Sequence, residues 1–378
     1  MIINNVKLVL EDEVVDGAIE TEGGVIRRIA DGRSRSPQAL DGEGGWLLPG
    51  LIELHTDNLD KYFNPRPKVD WPSHSAMSSH DALMIANGIT TVLDAVAVGD
   101  VRDGGHRLEN LQKMIDAVIH SQQGGRNRAE HRLHLRCELP HGSTLPLFEQ
   151  LVDKPGISLV SLMDHSPGQR QFASLEKYRE YYQGKYHLTP SQMAAFEEEQ
   201  TGLAQRWSAP NRAAIADHCR RRDITLASHD DATEEHVAES AALGSAIAEF
   251  PTTEAAAVAS RRHGLQVLMG APNIVRGGSH SGNVAARHLA ALGTLDILSS
   301  DYYPASLMDA VFRIALDDGN AYTLPQAVKM VTLNPARALG LHDRGLIAEG
   351  KRADLLLVNR HDGQMYVKNV WREGRQVY

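Results

Sequence analysis

The stretch PGLIELHTDNLD, residues 49–60, is the part of the chain around which a fold can be predicted. After its Pro-Gly pair comes a short apolar run typical of a buried strand. His55 and Asp57 follow two positions apart, and at that spacing two side chains on a strand point to the same face. An imidazole and a carboxylate at one strand end can begin a divalent-metal site. The same pair also fits an ordinary polar strand end, so the prediction depends on ligands from later strands.

The composition is typical of a globular protein that is acidic overall. The 378 residues are enough for one large domain and a smaller one, and 42% of them are hydrophobic. A formal charge of -9 argues against broad affinity for nucleic acid, which requires a basic face. The two cysteines form no CxxC pair, and the first residues show neither a basic leader nor a long apolar segment. We therefore expect a cytoplasmic protein that does not enter the membrane, and the sequence leaves a homo-oligomer open.

Both ends of the chain show the alternation of apolar and polar residues that is typical of hairpin-linked strands. The pattern covers residues 2–29, and it returns over residues 353–359 and 365–378. We therefore predict a small β-domain of the sandwich type, built from residues 1–48 and 345–378.

The middle of the chain alternates between short apolar segments and helix-like stretches. The predicted strands are residues 51–55, 89–95, 132–138, 157–163, 223–229, 246–250, 265–269 and 295–300. This alternation predicts a (β/α)8 barrel of the TIM type over residues 49–344, with one helix opening at Ser79. A doubly wound open sheet competes, but no glycine-rich turn follows an early strand to support it. Residues 164–209 are too long for a plain connection, and their charged and aromatic content predicts a helical insertion over the barrel mouth.

Catalytic groups of such barrels lie at the carboxyl ends of the strands. Five predicted strands carry His, Asp or Glu residues there, namely His55, Asp57, Glu138, His165, His229 and Asp301. Each alone could be a helix cap or a satisfied strand end, but together they predict a metal centre. Nitrogen and oxygen donors without thiolate suit one or two divalent ions, Zn first, with Mn, Fe, Ni or Mg as alternatives. A metal pair could share Glu138 as a bridge, with Asp301 as the general base for water.

The predicted mouth of the barrel is basic although the protein is acidic overall. Arg66 and Lys68 follow the first strand, and Arg170 follows the fourth. After the seventh strand comes a glycine-rich segment whose amides and hydroxyls suit phosphate oxygens. Its candidate residues are Arg276, Gly277, Gly278, Ser279, His280 and Ser281. The segment lacks the Lys-Ser/Thr of a Walker P-loop, so a mobile glycine loop is the simpler alternative. His80 is a weaker candidate for substrate contact.

Longer segments resemble the amidohydrolase superfamily. They are PGLIELHTDN at 49–58 and GLIAEGKRADLLLVN at 345–359, together with the order of the candidate ligands. The resemblance covers nearly the whole chain, and it implies a metal-bearing barrel with a β-sandwich-like domain from both termini. The usual first-strand motif of that superfamily is HxH. Asp57 takes the second place here, which favours a harder metal ion.

Four further segments resemble the phosphonate-metabolism hydrolases of the carbon–phosphorus lyase pathway. They are ELHTDNLDKYFNPRPKVDWP (53–72), SLMDHSPGQRQF (161–172), ASHDDAT (227–233) and APNIVRGGSHSGNVAA (271–286). The resemblance implies hydrolysis of a small ribosyl triphosphate, α-D-ribose 1-methylphosphonate 5-triphosphate, to the 5-phosphate and pyrophosphate. Two alternatives stay open. One is a deaminase or amide hydrolase acting on a small cyclic substrate, and the other is a metal-free scaffold without catalytic activity.

Overall fold

The structure, a computed structural model, describes residues 1–66, 69–99, 106–172, 174–279 and 282–378. The chain divides into two compact units. Unit 1 comprises Met1–Asp94, Ala117–Arg132 and Met269–Tyr378, and unit 2 comprises Ala95–Asp116 and Leu133–Leu268.

The described residues form strands and helices whose bounds are as follows. The strands are β1 (Ile2–Val9), β2 (Val14–Glu22), β3 (Val25–Asp31), β4 (Leu40–Asp41), β5 (Trp46–Pro49), β6 (Leu51–Thr56), β7 (Ile89–Val98), β8 (Glu130–Glu138), β9 (Ile157–Met163), β10 (Thr225–His229), β11 (Ile247–Glu249), β12 (Gln266–Gly270), β13 (Ile297–Ser299), β14 (Leu355–His361), β15 (Gln364–Arg372) and β16 (Arg375–Gln376). The helices are α1 (Asn58–Phe63), α2 (Ser73–Ala86), α3 (His106–Gln123), α4 (Thr144–Leu151), α5 (Leu175–Tyr186), α6 (Pro190–Arg222), α7 (Glu234–Ala242), α8 (Glu254–Arg262), α9 (Ala271–Arg276), α10 (Ala286–Ala291), α11 (Ser306–Ala315), α12 (Leu324–Lys329) and α13 (Leu333–Ala338).

A mixed sheet contains strands from both ends of the chain, as predicted. Its order is β16-β15-β14-β5-β1-β2-β3, with β4 paired to β1. Strand β5 runs parallel to β1 and antiparallel to β14, so the N-terminal and C-terminal strands meet at β5. One face buries a core that includes Ile3, Leu8, Leu355 and Trp371. The alternating pattern at the two termini is therefore the inward and outward pleat of a single sheet.

A second sheet is parallel and follows the chain order from β6 to β13, which confirms the predicted (β/α)8 barrel. Every residue of β6 is buried, because both faces of a strand in a parallel barrel are covered. The register places His229 of β10 opposite Glu249 of β11. A parallel bridge joins Thr56 to Asp301, so the last residue of β6 and the segment after β13 are neighbours.

The segment predicted to be an insertion is helical. It contains a 3-10 turn over Arg170–Phe172, then α5 and the first part of α6. Thr189 and Gln192 form a capping box at the start of α6, where Pro190 occupies the first turn. The aromatic residues of the segment pack on one another in a core of Phe172, Tyr178, Tyr182, Met193 and Phe196. The position of these helices over the barrel mouth stays a prediction.

One predicted helix start is wrong. Helix α2 begins at Ser73, directly after Pro72, and not at Ser79. Its buried residues include Ala76 and Met77, so the buried face of the helix begins before the predicted start. Within the described part of the chain, no helix is both long enough and apolar enough to cross a membrane.

Candidate metal centre

The segments that end β6 and β13 bring three of the predicted ligands together. His55 Nε2 lies 3.8 Å from Asp57 Oδ1. With Asp301, these residues place ligand atoms within 4.8 Å of one another. The N–H of Asp57 donates to the carbonyl of Asp301, and the N–H of Asp301 donates to the carbonyl of His55, both at 3.1 Å. We call His55, Asp57 and Asp301 the first donor group, and its imidazole and two carboxylates suit a divalent cation.

Glu53, two positions before His55 on β6, stabilises the same two strand ends. Its carboxylate accepts hydrogen bonds from the backbone N–H of His55 at 2.7 Å and of Ser300 at 2.6 Å. Burial raises the pKa of Glu53 to about 7, although the hydrogen bonds from Ser300 and His55 oppose that rise. Glu53 was not among the predicted site residues, because it stands inside an apolar run. Its shared parity with His55 was the available signal.

Unit 2 contains a second set of ligand atoms. Nε2 of His165 and Nε2 of His229 lie 3.6 Å and 3.4 Å from the same oxygen, Oδ2 of Asp230. Separations of this size are compatible with three ligands that each reach about 2.0–2.2 Å to one cation. We call His165, His229 and Asp230 the second donor group. The two histidines were predicted from the sequence, and Asp230 was not.

A carboxylate orients each imidazole of the second donor group. Glu138 Oε2 pairs with Nδ1 of His165 at 2.7 Å, and its Oε1 accepts the backbone N–H of His165 at 3.0 Å. Glu249 Oε2 pairs with Nδ1 of His229 at 2.6 Å. A carboxylate on Nδ1 fixes the tautomer so that Nε2 is the atom that can bind a metal, and such pairs are typical of histidines that bind metals. The bridging role of Glu138 stays a prediction, and Glu249 is a residue that the sequence did not reveal.

Protonation of His165 is coupled to that of Glu138. Burial raises the pKa of Glu138, but the charge of His165 and its hydrogen bonds outweigh burial and lower that pKa to about 2. For His165, burial lowers the pKa, and the charges and hydrogen bonds of Glu138 and Asp230 outweigh it and raise the pKa to about 10. A cation that binds Nε2 must displace a proton from this imidazole. Metal affinity at the second donor group should therefore rise with pH.

The Glu249 carboxylate is itself held by a buried side chain. Ser161 on β9 donates its hydroxyl to Glu249 Oε2 at 2.8 Å, and His134 on β8 contacts that hydroxyl through Nε2. All three residues are buried. A chain of polar contacts thus links β8, β9 and β11 to the imidazole of His229 on β10, which restricts the orientation of that ring.

Of the predicted phosphate-binding residues, Lys68, His280 and Ser281 lie outside the described residues. Arg66 is exposed and takes part in a β-bridge with Val69. Arg276 is exposed at the end of α9. The residues that follow it include Gly277, which has a positive φ of 82° and ends the helix, then Gly278 and Ser279.

Arg276 contacts the segment that carries Asp301. Its Nη1 donates to the hydroxyl of Tyr302 at 3.5 Å, and Tyr302 directly follows Asp301 in the chain. Lys61 on α1 donates to the Tyr302 carbonyl at 3.1 Å. Two cationic side chains therefore contact Tyr302, the residue that follows Asp301, and such side chains suit an anionic substrate.

His80 is fully buried and pairs with an acidic side chain. Its Nε2 pairs with one oxygen of Asp94 at 2.5 Å, and Nδ1 of His131 pairs with the other at 2.7 Å. His131 Nε2 also contacts Asp81 at 3.3 Å. Burial lowers the pKa of His131, but the charges of Asp94 and Asp81 outweigh it and raise that pKa to about 9. His80, Asp94, His131 and Asp81 therefore form a buried network of hydrogen bonds and ion pairs. Substrate binding by His80 stays a prediction.

Arg170 is also buried, and it lies among carboxylates. It contacts Asp231 and donates Nη2 to Glu239 Oε2 at 3.0 Å. The charge of Arg170 therefore has partners within the protein. Its role in substrate binding stays a prediction.

Comparisons with known proteins show the family to which this chain belongs. The model of the amidohydrolase family matches residues 154–378. Over 378 residues, the chain is 72% identical to the alpha-D-ribose 1-methylphosphonate 5-triphosphate diphosphatase of Escherichia coli (strain K12), covering 100% of both chains. It is 25% identical to the 5-methylthioadenosine/S-adenosylhomocysteine deaminase of Pyrococcus furiosus, covering 95% of this chain and 86% of that protein.

Solved structures agree on the fold. A mutant of N-acetyl-D-glucosamine-6-phosphate deacetylase from Mycobacterium smegmatis superposes with a TM-score of 0.66 at 16% identity, over 100% of this chain and 99% of that one. At this identity the likeness concerns the fold alone. The match to the family model and the identity over the full length together establish that this chain belongs to the amidohydrolase family.

Proposed function

We propose that this protein hydrolyses α-D-ribose 1-methylphosphonate 5-triphosphate to the 5-phosphate and pyrophosphate, with one or two divalent cations as cofactors. The identity of the substrate rests on the Escherichia coli relative, whose name states this activity. The structural observation that carries the proposal is the contact of Arg276 with Tyr302 beside Asp301. This contact supports a role for Arg276 in binding phosphate, because Tyr302 is the chain neighbour of Asp301 in the first donor group.

The donor groups fit divalent cations by their chemistry. Both combine imidazole with carboxylate, and in the second group the Nδ1 atoms are held by Glu138 and Glu249. Zn suits these donors, as do Mn, Fe and Ni, while Mg favours the carboxylates. A bound cation polarises a phosphoryl oxygen and lowers the pKa of water, so that hydrolysis proceeds near neutral pH.

The residues of the chain then have separate tasks. Asp301 accepts the proton of the attacking water as the general base. Arg276 and Arg66 neutralise the polyphosphate, and the amides of Gly277 and Gly278 donate to phosphate oxygens. Water adds to phosphorus as a P–O bond of the anhydride between the first and second phosphoryl groups breaks. Pyrophosphate leaves, and the 5-phosphate remains. We place this reaction in the cytoplasm, with a small molecule rather than nucleic acid as the substrate.

One parallel assay tests the proposal against its alternatives. Purified protein is offered ribosyl triphosphates, nucleoside triphosphates and cyclic amides, and pyrophosphate, phosphate and ammonia are measured together. We expect pyrophosphate from the ribosyl triphosphate, with loss of activity after chelation and recovery on adding a divalent metal. Ammonia without pyrophosphate would instead support the deaminase that the Pyrococcus furiosus relative suggests. Protein that binds no metal and releases no product would support the scaffold.

A further inference from the structure

Helix α6 places a buried arginine against the residue that precedes His165. Arg212 donates Nη2 to Oδ2 of Asp164 at 3.2 Å. The other oxygen of Asp164 accepts the hydroxyl of Ser166 at 2.5 Å. The Asp164 carboxylate therefore joins the two chain neighbours of His165, Asp164 and Ser166. Arg212 forms an ion pair with the same carboxylate.

Arg170 makes a similar ion pair with a chain neighbour of Asp230 in the second donor group. It contacts Asp231, the residue that follows Asp230. The second oxygen of Asp231 accepts the hydroxyl of Ser240 on α7 at 3.0 Å. Each arginine therefore holds an aspartate that is the chain neighbour of a donor residue.

Glu239 on α7 joins the two arginines. Its Oε1 accepts Nη1 of Arg212 at 2.9 Å, and its Oε2 accepts Nη2 of Arg170 at 3.0 Å. We call these five residues the arginine frame, and they are Asp164, Arg170, Arg212, Asp231 and Glu239. The frame spans the loop after β9, the loop after β10 and two helices.

Burial makes the arginine frame sensitive to the loss of either cation. Arg170 is 3% exposed and Arg212 is 9% exposed, while Asp164 and Asp231 are 3% and 1% exposed. Removing one partner of a buried ion pair leaves an uncompensated charge, which is strongly destabilising. In a variant without Arg212, Asp164 would have to shift towards solvent or take up a proton. Either response would change the contacts of Asp164 that hold the segment around His165.

We propose that Arg170 and Arg212 are positioning residues, which hold His165 and Asp230 so that the second donor group keeps its geometry for a divalent cation. This inference rests on the proposed metal-dependent function. It also gives Arg170 a role other than the contact with substrate predicted from the sequence. The Arg170 guanidinium forms ion pairs with Asp231 and Glu239 inside the protein and donates Nη2 to Glu239, whereas phosphate recognition needs the donors of an arginine directed at the ligand.

The test compares Arg212→Gln with Arg222→Gln. Arg222 lies on the same helix and forms an ion pair with Asp153, so it controls for loss of a helical arginine. Cobalt(II) affinity is measured by competition with a chelator, and the visible absorption spectrum of the cobalt protein reports the ligand geometry. We expect affinity to fall 10- to 100-fold in Arg212→Gln, as for other partners that orient metal ligands, and to stay unchanged in Arg222→Gln.

A milder variant guards against misfolding. Glu239 is half exposed, and Glu239→Gln weakens both arginine contacts while leaving the two arginine–aspartate pairs in place. We expect a smaller loss of cobalt affinity and a shifted spectrum, with the thermal unfolding of the metal-free protein unchanged. Unchanged cobalt affinity in both Arg212→Gln and Glu239→Gln would overturn the proposal.

Arg170→Gln separates positioning from substrate binding. A positioning role predicts weaker cobalt binding and, at saturating metal, a lower kcat with little change in KM for the triphosphate. A raised KM with unchanged cobalt affinity would instead show that Arg170 binds substrate. Since cobalt affinity is measured without substrate, failure of the proposed hydrolysis would leave this test of the arginine frame intact.

Discussion

Oδ2 of Asp230 lies 3.4 Å from Nε2 of His229, its neighbour in the chain. Adjacent residues on a strand point to opposite faces, so this approach needs a special backbone. Asp230 has a φ of 56°, a left-handed conformation that costs a non-glycine residue roughly 1 kcal/mol. Strain of this kind persists where the surrounding structure requires it, and here it turns a carboxylate towards two imidazoles.

Asp230→Asn should therefore reduce metal binding without unfolding the protein. Asparagine tolerates the left-handed conformation but loses the negative charge that a divalent cation needs. We expect bound metal, measured by elemental analysis after dialysis, to fall together with turnover. The control is Asp223→Asn, an exposed left-handed aspartate at the end of α6, which should keep full occupancy. A fully occupied Asp230→Asn protein would remove Asp230 from the ligand set.

Glu138→Ala should abolish metal occupancy and turnover together. Without the carboxylate, Nδ1 of His165 loses its orienting partner, and the backbone N–H of His165 loses its acceptor. The matched control is Glu149→Ala, since Glu149 pairs with His218 at 3.2 Å on the surface of the same unit. Elemental analysis and pyrophosphate release measure the two effects. Full pyrophosphate release by Glu138→Ala would refute a role for Glu138 at the metal centre.

Arg276→Ala should raise KM for the triphosphate by about tenfold or more, because a charge-assisted hydrogen bond contributes roughly 1.5–3 kcal/mol. The increase should shrink at high salt, which screens an exposed charge. Steady-state kinetics at two ionic strengths measure both effects. The control is Arg262→Ala, an exposed arginine that pairs with Glu234 at the end of another helix. A nearly silent Arg276→Ala would favour the amide-hydrolase or deaminase alternative.

The network around His131 should make stability depend on pH. Its pKa is raised to about 9 in the folded protein from the ordinary value of 6.5 for histidine. The stabilisation is therefore fully present below the unfolded pKa, and it is lost as pH rises from about 6.5 through 9. Its size is of the order of 3 kcal/mol. Denaturant unfolding across this pH range should show the loss in the wild type.

His131→Gln removes the titrating group from this network. The variant should be less stable than the wild type near pH 6 and should show a much flatter dependence between pH 6.5 and 9. His361→Gln is the control, since His361 lies on the surface beside Asp362 and should leave the curve unchanged. An unaltered pH dependence in His131→Gln would show that the stabilisation arises elsewhere.

Much of the architecture could be predicted from local patterns. Apolar runs of strand length, alternating with helix-like stretches, predicted the barrel because both faces of its strands are buried. The alternation at the termini predicted a sheet from both ends of the chain. The predicted start of α2 at Ser79 is wrong. Serine is a common N-cap, but this helix begins after Pro72 without a side-chain cap.

Other site residues could not be predicted, since they depend on the placement of distant segments. Glu249 faces His229 only because β10 and β11 pair in one register. Arg170 could be read as a basic residue after a strand, but its contacts with Asp231 and Glu239 come from residues 61 and 69 positions later. The contact of His80 with Asp94 likewise joins two residues that lie 14 positions apart in the chain.

By itself, the sequence determined which segments become strands and which donor residues stand at their ends, because strand periodicity and chain order are local properties. Only the tertiary structure decided how those donors are used. The left-handed turn at Asp230, the register that brings Glu249 to His229, and the arginines that hold the neighbouring aspartates all arise from packing between segments far apart in the chain. Hydrogen bonds and ion pairs act over a few ångströms, so their partners are set by the folded chain and not by sequence spacing.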